Sequence, residues 1–509
     1  MHDCAETDGW PPDVAGGEGR VSLDRRRFLS AGLGAAGAAL ASGASAPATA
    51  AGTVAAQRAS AGKRNVLLIV ADDHGYDFSA SGAKPKTPSL DALAADGVSF
   101  TDAYASVSSC SSSRSTLYTG LYSHTNGMYG LAHDVHHFSL FGDVKTLPWM
   151  LKQAGYATAL VGKLHVEPES QLAYDAWLLP ERPGDRDVAA MGHAAGRWMR
   201  EQGDKPFFLT MAYSDPHRAG DVSNFGNTRD WPEVQRVRYK PAEVAIPSHL
   251  PDLPGVREDL AEYCEAVRRM DAGVGLLLRE LDAAGRRDDT LVIYLSDNGR
   301  PFPGAKDNLY REGIRLPLIV RAPGTRQRGS SNRAMVSWID ITPTILDWTG
   351  TAPPAGYRYA PLPGRSILPI LEHAEPSGWD EVFATHSFHE IDQYYPTRSV
   401  RTRRYSYFLN LQPALEVPIA SDVALSPAWK AIVSTPGARL GKRTLEAFRH
   451  RPAEELYDLE ADPDEVVNLA QDAAHAKTLA DLRARLDAWR TATRDPWQKG
   501  VTDPFGPAH

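Results

Sequence analysis

Two continuous aliphatic runs of the sequence each end in clustered side-chain oxygens. These oxygens belong to Asp72 and Asp73 after the first run, and to Asp297 and Asn298 after the second. Such runs are typical of strands buried on both faces of a parallel sheet, and parallel strands bring their carboxyl ends to one edge. Three carboxylates and an amide oxygen suit a hard cation, calcium or magnesium, better than zinc. The alternative for either pair alone is a helix cap or a turn.

A Ser/Thr-rich segment places a cysteine beside a cation. Cys110 precedes a helical pattern, so we expect it at a helix N-terminus. Free backbone N–H groups and the helix dipole would favour anions there and lower the pKa of the thiol. Arg114 lies four residues further on, hence on the same helix face. A cysteine in such a place is otherwise a core residue, but with Arg114 in register we interpret it as a nucleophile beside an anion clamp.

Further basic side chains and imidazoles follow predicted strands. Lys163 and His165 follow one strand, where period-two alternation would put both on one face. His217 follows another strand, and Lys306 lies beyond the second oxygen cluster. Each alone has the simpler interpretation of a surface charge or a structural histidine. Jointly they supply the charge neutralisation, base and acid that transfer of a tetrahedral oxyanion group needs.

Alternating strands and helices must position these residues. The aliphatic runs alternate with helical patterns, which predicts an α/β fold with a large doubly wound, mixed or parallel sheet flanked by helices. Past a Pro- and Gly-rich stretch the apolar runs shorten, and an amphipathic helix is predicted over residues 474–493. We expect a catalytic domain over 51–375, and a smaller C-terminal α+β subdomain with a small antiparallel sheet over 376–509.

The first 50 residues have the features of an export signal. Arg25 and Arg26 precede an Ala/Gly-rich apolar stretch, and a small-residue cleavage site follows at Ala48-Thr49-Ala50. The paired arginines indicate the twin-arginine export machinery as a partner. The mature protein is then expected in the periplasm, at the cell surface or secreted. A membrane anchor is the alternative.

Length, charge and cysteines narrow the function classes. The chain has 509 residues, enough for two unequal subdomains, and a net charge of −8, which argues against a nucleic-acid partner. Its three cysteines, Cys4, Cys110 and Cys264, form no disulfide framework. The oligomeric state is left open, with a homodimer among the alternatives.

Several motifs resemble one enzyme family jointly and over nearly the whole mature chain. They are Cys110-Ser111-Ser112-Ser113-Arg114 with Thr119-Gly120, Gly162-Lys163-Leu164-His165, Asp297 through Pro317, and Glu455 through Ala470. This pattern resembles the sulfatase family, within the alkaline phosphatase superfamily. Further segments resemble its heparan sulfamidase branch, which cleaves the N–S bond of terminal N-sulfated glucosamine. They are Asn126–Phe138, Ser214–Gly220, Arg269–Gly285, Ser296–Pro303 and Phe388–Val400.

The resemblance implies a set of roles. Cys110 would be converted to formylglycine by a maturation enzyme, and its hydrate would be the nucleophile. One calcium ion would be held by Asp72, Asp73, Asp297, Asn298 and the converted residue 110. Arg114, Lys163 and Lys306 would stabilise the nucleophile and the sulfuryl oxygens of a sulfated saccharide. His217, with Lys306, would protonate the leaving group, and His165 would take the proton that regenerates the aldehyde.

Substrate selection rests on weaker signals. His389, Glu390 and Arg398 could reach the pocket from the smaller subdomain, where a carboxylate near a sugar amine or hydroxyl would confer specificity. Asp215 and Arg218, beside His217, are further candidates. A surface loop or an interdomain salt bridge is the alternative.

Two departures from the family pattern keep other hypotheses open. The proline expected two residues after the cysteine is Ser112, and Lys306 stands where sulfamidases carry arginine and other sulfatases carry lysine. The alternatives to a sulfamidase are an O-sulfatase on another glycan or aryl ester, and a phosphate or phosphonate monoester hydrolase. A non-catalytic protein that binds sulfated glycans is expected if Cys110 stays a thiol.

Overall fold

A large eight-stranded sheet carries the candidate residues. The computed structural model describes residues 64–76, 85–180, 186–220 and 223–499, so the predicted export signal and Cys4 lie outside the described residues. The sheet order is β4-β3-β5-β1-β6-β7-β2-β8, and all neighbours run parallel except β7, which is antiparallel to β6 and β2. The strands are β1 Asn65–Ala71, β2 Val98–Tyr104, β3 Ala157–Gly162, β4 Ala176–Pro180, β5 Phe207–Ala212, β6 Thr290–Ser296, β7 Leu318–Arg321 and β8 Ser330–Ser337.

The central strand shows why the aliphatic runs are continuous. Every residue of β1 is buried. Val66, Leu68 and Val70 pack into the apolar cluster on one face, whereas Leu67 and Ile69 pack into the cluster on the other. Both faces of the strand are therefore covered, so its side chains are apolar on both faces and do not alternate with polar ones.

Helices cover both faces of the sheet. The longest, α7, has 30 residues, and Leu260, Val267 and Val274 from it enter the second apolar cluster. The helices of the large sheet are α1 Pro88–Asp96, α2 Cys110–Thr119, α3 Ser123–Asn126, α4 Leu147–Gln153, α5 Glu169–Leu172, α6 Val188–Glu201, α7 Pro254–Ala283, α8 Arg311–Ile314 and α9 Ile341–Thr349.

A second, antiparallel sheet follows in the chain. Its order is β14-β11-β10-β9. Leu482, Leu486 and Trp489 of the last helix pack with Val400 and Tyr407 of this sheet. The remaining elements are β9 Glu381–Phe388, β10 Tyr394–Thr402, β11 Tyr405–Asn410, α10 Ser421–Ala424, α11 Pro427–Val433, β12 Arg439–Leu440, β13 Arg443–Thr444, α12 Leu445–Arg449, β14 Glu454–Asp458 and α13 Ala476–Ala492.

The predicted fold class is confirmed: a large, mostly parallel sheet lies between helices, beside a small antiparallel sheet. The domain boundaries at residues 50 and 375 stay predictions. Among the described residues, no helix combines the length and the apolar character needed to cross a membrane.

Candidate active site

Four adjacent parallel strands deliver the candidate residues to one sheet edge. The strands β3, β5, β1 and β6 are neighbours in that order, and each pair is parallel. Lys163 follows β3 directly, Asp72 follows β1 and Asp297 follows β6. The predicted convergence at the carboxyl ends is therefore what the structure shows.

Each carboxylate at this edge contacts a different cation. Lys163 Nζ donates to Asp72 Oδ2 over 2.6 Å, and Lys306 Nζ donates to Asp73 Oδ2 over 3.0 Å. Arg114 Nε donates to Asp297 Oδ2 over 2.8 Å. All these side chains are buried, so the attraction acts where water screens it little. The six groups form one electrostatic unit.

The oxygen cluster fits a hard cation. In the described part of the chain, Asp72 Oδ1 and Asn298 Oδ1 are buried without a hydrogen-bond partner. Burial, and then the neighbouring Asp72, raise the pKa of Asp297 to about 8 although Arg114 opposes the rise, because like charges lie close together there. One ligand atom each from Asp72, Cys110 and Asp297 lie within 4.8 Å of one another. Oxygen-rich donors of this kind are those that calcium and magnesium prefer.

Cys110 begins the helix α2, as predicted. Ser109 is the N-cap residue, and the Cys110 thiol is 3.9 Å from Asp73 Oδ1. The predicted fall in the thiol pKa is wrong. Burial raises the pKa of Cys110 well above its ordinary value; Lys306 opposes this rise, and Asp72 and Asp73 add to it. An unmodified thiol at this position is therefore a weak nucleophile.

His165 reaches the site by a different route from the one expected. The strand β3 ends at Gly162, and His165 has a left-handed φ of 59°, so strand alternation does not apply to Lys163 and His165. The Nε2 atom of His165 is hydrogen-bonded to Nδ1 of His133, and its Nδ1 is buried without a partner among the described residues. Burial, with the nearby Lys163, lowers the pKa of His165 well below its ordinary value.

His217 and Lys306 meet at a carboxylate that the sequence analysis missed. Lys306 Nζ lies 3.1 Å from His217 Nε2 and 2.7 Å from Oδ2 of Asp422. Asp422 belongs to α10, in the C-terminal part of the chain. Burial opposes the charge on Lys306, but Asp422 and Asp73 raise its pKa well above its ordinary value. Lys306 is therefore a charged donor shared by three partners.

The chain matches one family profile over more than half of its length. The profile described as "Sulfatase" matches residues 64–351. This chain belongs to the sulfatase family. A second profile, "N-sulphoglucosamine sulphohydrolase, C-terminal", matches residues 305–413 of the sulfatase.

Curated proteins and solved structures agree with this placement. The sulfatase is 42% identical over 460 residues to human "N-sulphoglucosamine sulphohydrolase", covering 85% of this chain and 91% of that protein. It is 26% identical over 447 residues to an "Ulvan-active sulfatase" of Formosa agariphila, covering 85% and 81%. A structure solved with its substrate D-glucosamine-2-N,6-O-disulfate superposes with a TM-score of 0.62 at 21% identity, covering 85% of this chain and 98% of that one. That structural likeness supports the fold.

Two of the proposed substrate residues border the site of the sulfatase. His389 Nδ1 lies 2.9 Å from Ser109 Oγ and 2.8 Å from Oδ1 of Asp307. Glu390 accepts hydrogen bonds from the backbone N–H and the hydroxyl of Ser421. His389 therefore contacts the residue before Cys110, and Glu390 contacts the residue before Asp422.

The other three proposed substrate residues are held in buried ion pairs. Asp215 pairs with Arg186 and Arg269, and Arg218 makes two hydrogen bonds to Asp259. Arg398 makes two hydrogen bonds to Asp495. None of the three side chains pairs with the carboxylates around Cys110, and Asp215 contacts Asp72 through the backbone, where its carbonyl oxygen accepts from the Asp72 N–H over 3.2 Å. Each pair is buried and lies within one of the two predicted subdomains, so none is a surface loop or an interdomain salt bridge.

Proposed function

We propose that this sulfatase hydrolyses the N-sulfate of terminal N-sulfoglucosamine in glycans of the heparan type. The relative with 42% identity carries that activity in its name, and the C-terminal profile carries the same name. The observation that carries the proposal is the ring of Arg114, Lys163 and Lys306 around Cys110 and its carboxylates. Three fixed cations suit the three non-bridging oxygens of a sulfuryl group.

Two groups beyond the unmodified chain complete this proposal. Formylglycine at position 110 would supply a hydrated aldehyde as the nucleophile, made from Cys110 by a maturation enzyme. Calcium, held by Asp72, Asp73, Asp297 and Asn298, would supply Lewis acidity and orientation. The unpartnered oxygens of Asp72 and Asn298 support the choice of a hard cation at this place.

We expect the hydrogen-bonded pair of His217 and Lys306 to deliver the proton to the leaving nitrogen. His217 Nδ1 lies 2.7 Å from the carbonyl oxygen of Arg218, so that nitrogen carries the hydrogen in the neutral ring. Its Nε2 then accepts from Lys306, 3.1 Å away. Burial, and then Lys306, lower the pKa of His217, which keeps the ring neutral. The resting imidazole is therefore neutral, and the proton for the leaving nitrogen lies in the contact between Lys306 Nζ and His217 Nε2.

His165 is the proposed base for regeneration of the aldehyde. Its lowered pKa means that the ring is neutral at physiological pH and able to accept a proton. The contact with His133, whose side chain is 46% exposed, links the ring to solvent. A proton taken by His165 thus has a route out of the site.

An O-sulfatase is the second candidate, because Lys306 is the residue that ordinary sulfatases carry at this position. An O-sulfate ester needs a weaker acid at the leaving atom than a sulfamate does. The two functions differ in the bridging atom, so matched substrates separate them.

The test is the release of sulfate by purified protein in which Cys110 has been converted. We expect the highest kcat/KM on N-sulfoglucosamine, a lower value on glucosamine 6-sulfate and on an aryl sulfate, and the lowest on the matched aryl phosphate. Turnover of the O-sulfates without turnover of N-sulfoglucosamine would reject the N-sulfate assignment. Faster turnover of the phosphate would favour a phosphate monoester hydrolase.

The site of action is a further part of the proposal. The paired Arg25-Arg26 and the cleavage site near Ala50 support export by the twin-arginine machinery, which would leave the enzyme in contact with extracellular glycans. That route transports folded protein, so conversion of Cys110 would precede it in the cytoplasm.

A further inference from the structure

We propose that Asp422 selects the bridging nitrogen of the substrate: its Oδ1 accepts the N–H hydrogen that a sulfamate has and a sulfate ester lacks. This inference rests on the proposed function and assigns its N-sulfate selectivity to one residue. It adds a hydrogen bond to the substrate and no covalent step.

The two oxygens of Asp422 have different environments. Oδ2 is 2.7 Å from Lys306 Nζ and 3.6 Å from Nε2 of His217. Oδ1 is buried and has no hydrogen-bond partner in the part of the chain that the structure describes. Asp422 as a whole is only 9% exposed. A buried carboxylate oxygen without a donor is costly, so a donor from the bound substrate would stabilise it.

The position of Asp422 is that of a leaving-group contact. Lys306 Nζ contacts Asp73 Oδ2 at 3.0 Å, and the other oxygen of Asp73 is 3.9 Å from Cys110 Sγ. Asp422 therefore touches the site through Lys306 and His217, the residues proposed to serve the leaving atom, and does not touch Cys110. The group it meets should be the atom that departs from sulfur.

The chemistry of that atom decides between the two substrate classes. The bridging nitrogen of a sulfamate carries a hydrogen, whereas the bridging oxygen of an ester has only lone pairs. An ionised carboxylate accepts hydrogen bonds and cannot donate them. Asp422 Oδ1 would therefore attract the bridging N–H of a sulfamate and repel the bridging oxygen of a sulfate ester. After cleavage it would also stabilise the ammonium group of the glucosamine product.

The segment that carries Asp422 is held in place by a neighbour. Ser421 donates from its backbone N–H and its hydroxyl to Glu390. Glu390 follows β9 of the small sheet. The C-terminal part of the chain therefore places the Asp422 carboxylate beside the residues at the edge of the large sheet. Glu390 is a positioning residue in this account.

The test compares two substrates that differ in one atom, N-sulfoglucosamine and glucose 2-sulfate. Asp422→Asn keeps the size of the side chain and offers an amide donor. We expect kcat/KM on N-sulfoglucosamine to fall roughly 10- to 100-fold, the range for a lost hydrogen bond to a charged group. On glucose 2-sulfate we expect kcat/KM to stay constant or rise. An equal fall on both substrates would overturn the inference.

Asp271→Asn is the matched control. Asp271 is a buried aspartate that accepts from the backbone of Ser89 and Leu90 and pairs with Arg268. Its loss should leave the ratio of the two kcat/KM values unchanged. A change in that ratio equal to that of Asp422→Asn would make the effect a general one of lost buried charge and overturn the inference.

A measurement on the unmutated enzyme covers the case in which the variant fails to fold. Glucosamine should inhibit hydrolysis of N-sulfoglucosamine at a concentration at least ~10-fold lower than glucose does, because its charged ammonium donates to Asp422 more strongly than the neutral 2-hydroxyl of glucose. Equal inhibition would overturn the inference while leaving the proposed function intact. Absence of any turnover of N-sulfoglucosamine by converted enzyme would instead reject the proposed function, and the role of Asp422 with it.

Discussion

Arg114 and Asp297 form a fully buried ion pair, with 2.8 Å between Nε and Oδ2. The pair joins the helix that begins at Cys110 to the end of β6, and Arg114 also donates to the carbonyl oxygen of Lys163 over 3.0 Å. One side chain thus holds the helix that begins at Cys110 against the ends of β3 and β6. Arg114 is consequently a structural residue as well as a candidate catalytic one.

Arg114→Ala should reduce the free energy of unfolding by about 3–5 kcal/mol, because it breaks a fully buried ion pair and removes a guanidinium that also lies 3.7 Å from Asp72. Arg114→Lys, which keeps the charge, should cost less. Denaturant unfolding of both variants at neutral pH measures the difference. A loss below ~1 kcal/mol for the alanine variant would show that Asp297 is compensated in another way.

Calcium should stabilise the protein through the oxygen cluster. A ligand present at 100 times its Kd adds about 2.7 kcal/mol to the free energy of unfolding. Thermal unfolding followed during calcium addition should therefore show a rising Tm, and Asp72→Asn should remove most of the rise. A Tm that stays constant on addition of calcium but rises on addition of zinc would contradict the assignment of the oxygen cluster to a hard cation.

His124 should make the protein sensitive to acid. Burial, and then the nearby Arg398, lower the pKa of this histidine to about 3. The unfolded chain therefore binds more protons between pH ~6.5 and ~3, and the free energy of unfolding falls as the pH falls through that window. His124→Gln keeps a donor for Thr493, which lies 2.9 Å from the ring, but cannot titrate.

The comparison is the slope of unfolding free energy against pH, measured from pH 6.5 to 4. The slope measured for the variant should be smaller than that of the parent protein by up to about 1.4 kcal/mol per pH unit. Parallel slopes would mean that His124 titrates alike in the folded and unfolded chains.

Ser112→Pro should increase the fraction of Cys110 that is converted. Ser112 is the third residue of α2, within the first turn, where proline is tolerated, and its buried hydroxyl has no hydrogen-bond partner among the described residues. The substitution restores the family signature without removing a bond recorded there. In a host that converts the parent only partly, peptide mass spectrometry should show a larger aldehyde fraction. An unchanged fraction in folded protein would mean that the maturation enzyme accepts serine equally well.

The convergence of the site could be predicted from the sequence because it depends on strand ends. Asp72 and Asp297 each follow an aliphatic run, and because these runs pair as parallel strands, both residues lie at the same edge of the sheet. The position of Cys110 at a helix start was predicted for a similarly local reason, its Ser/Thr-rich surroundings.

Other features depend on packing that no local pattern records. Asp422 lies more than 100 residues from Lys306, in a four-residue helix without a distinctive motif. The pKa of the Cys110 thiol is raised mainly by burial, which depends on the packing of distant segments around it. β3 ends at Gly162, so the alternation of side chains along a strand does not predict the orientation of His165. Arg398 is of a residue type that often binds anionic ligands, but here it forms an ion pair with Asp495.

The most direct test of the account is mass spectrometry of the peptide that contains Cys110, taken from protein that releases sulfate from N-sulfoglucosamine. We expect residue 110 to be present as the aldehyde, because the buried thiol has a raised pKa and is a weak nucleophile. A fully active preparation in which Cys110 is found only as the thiol would contradict it.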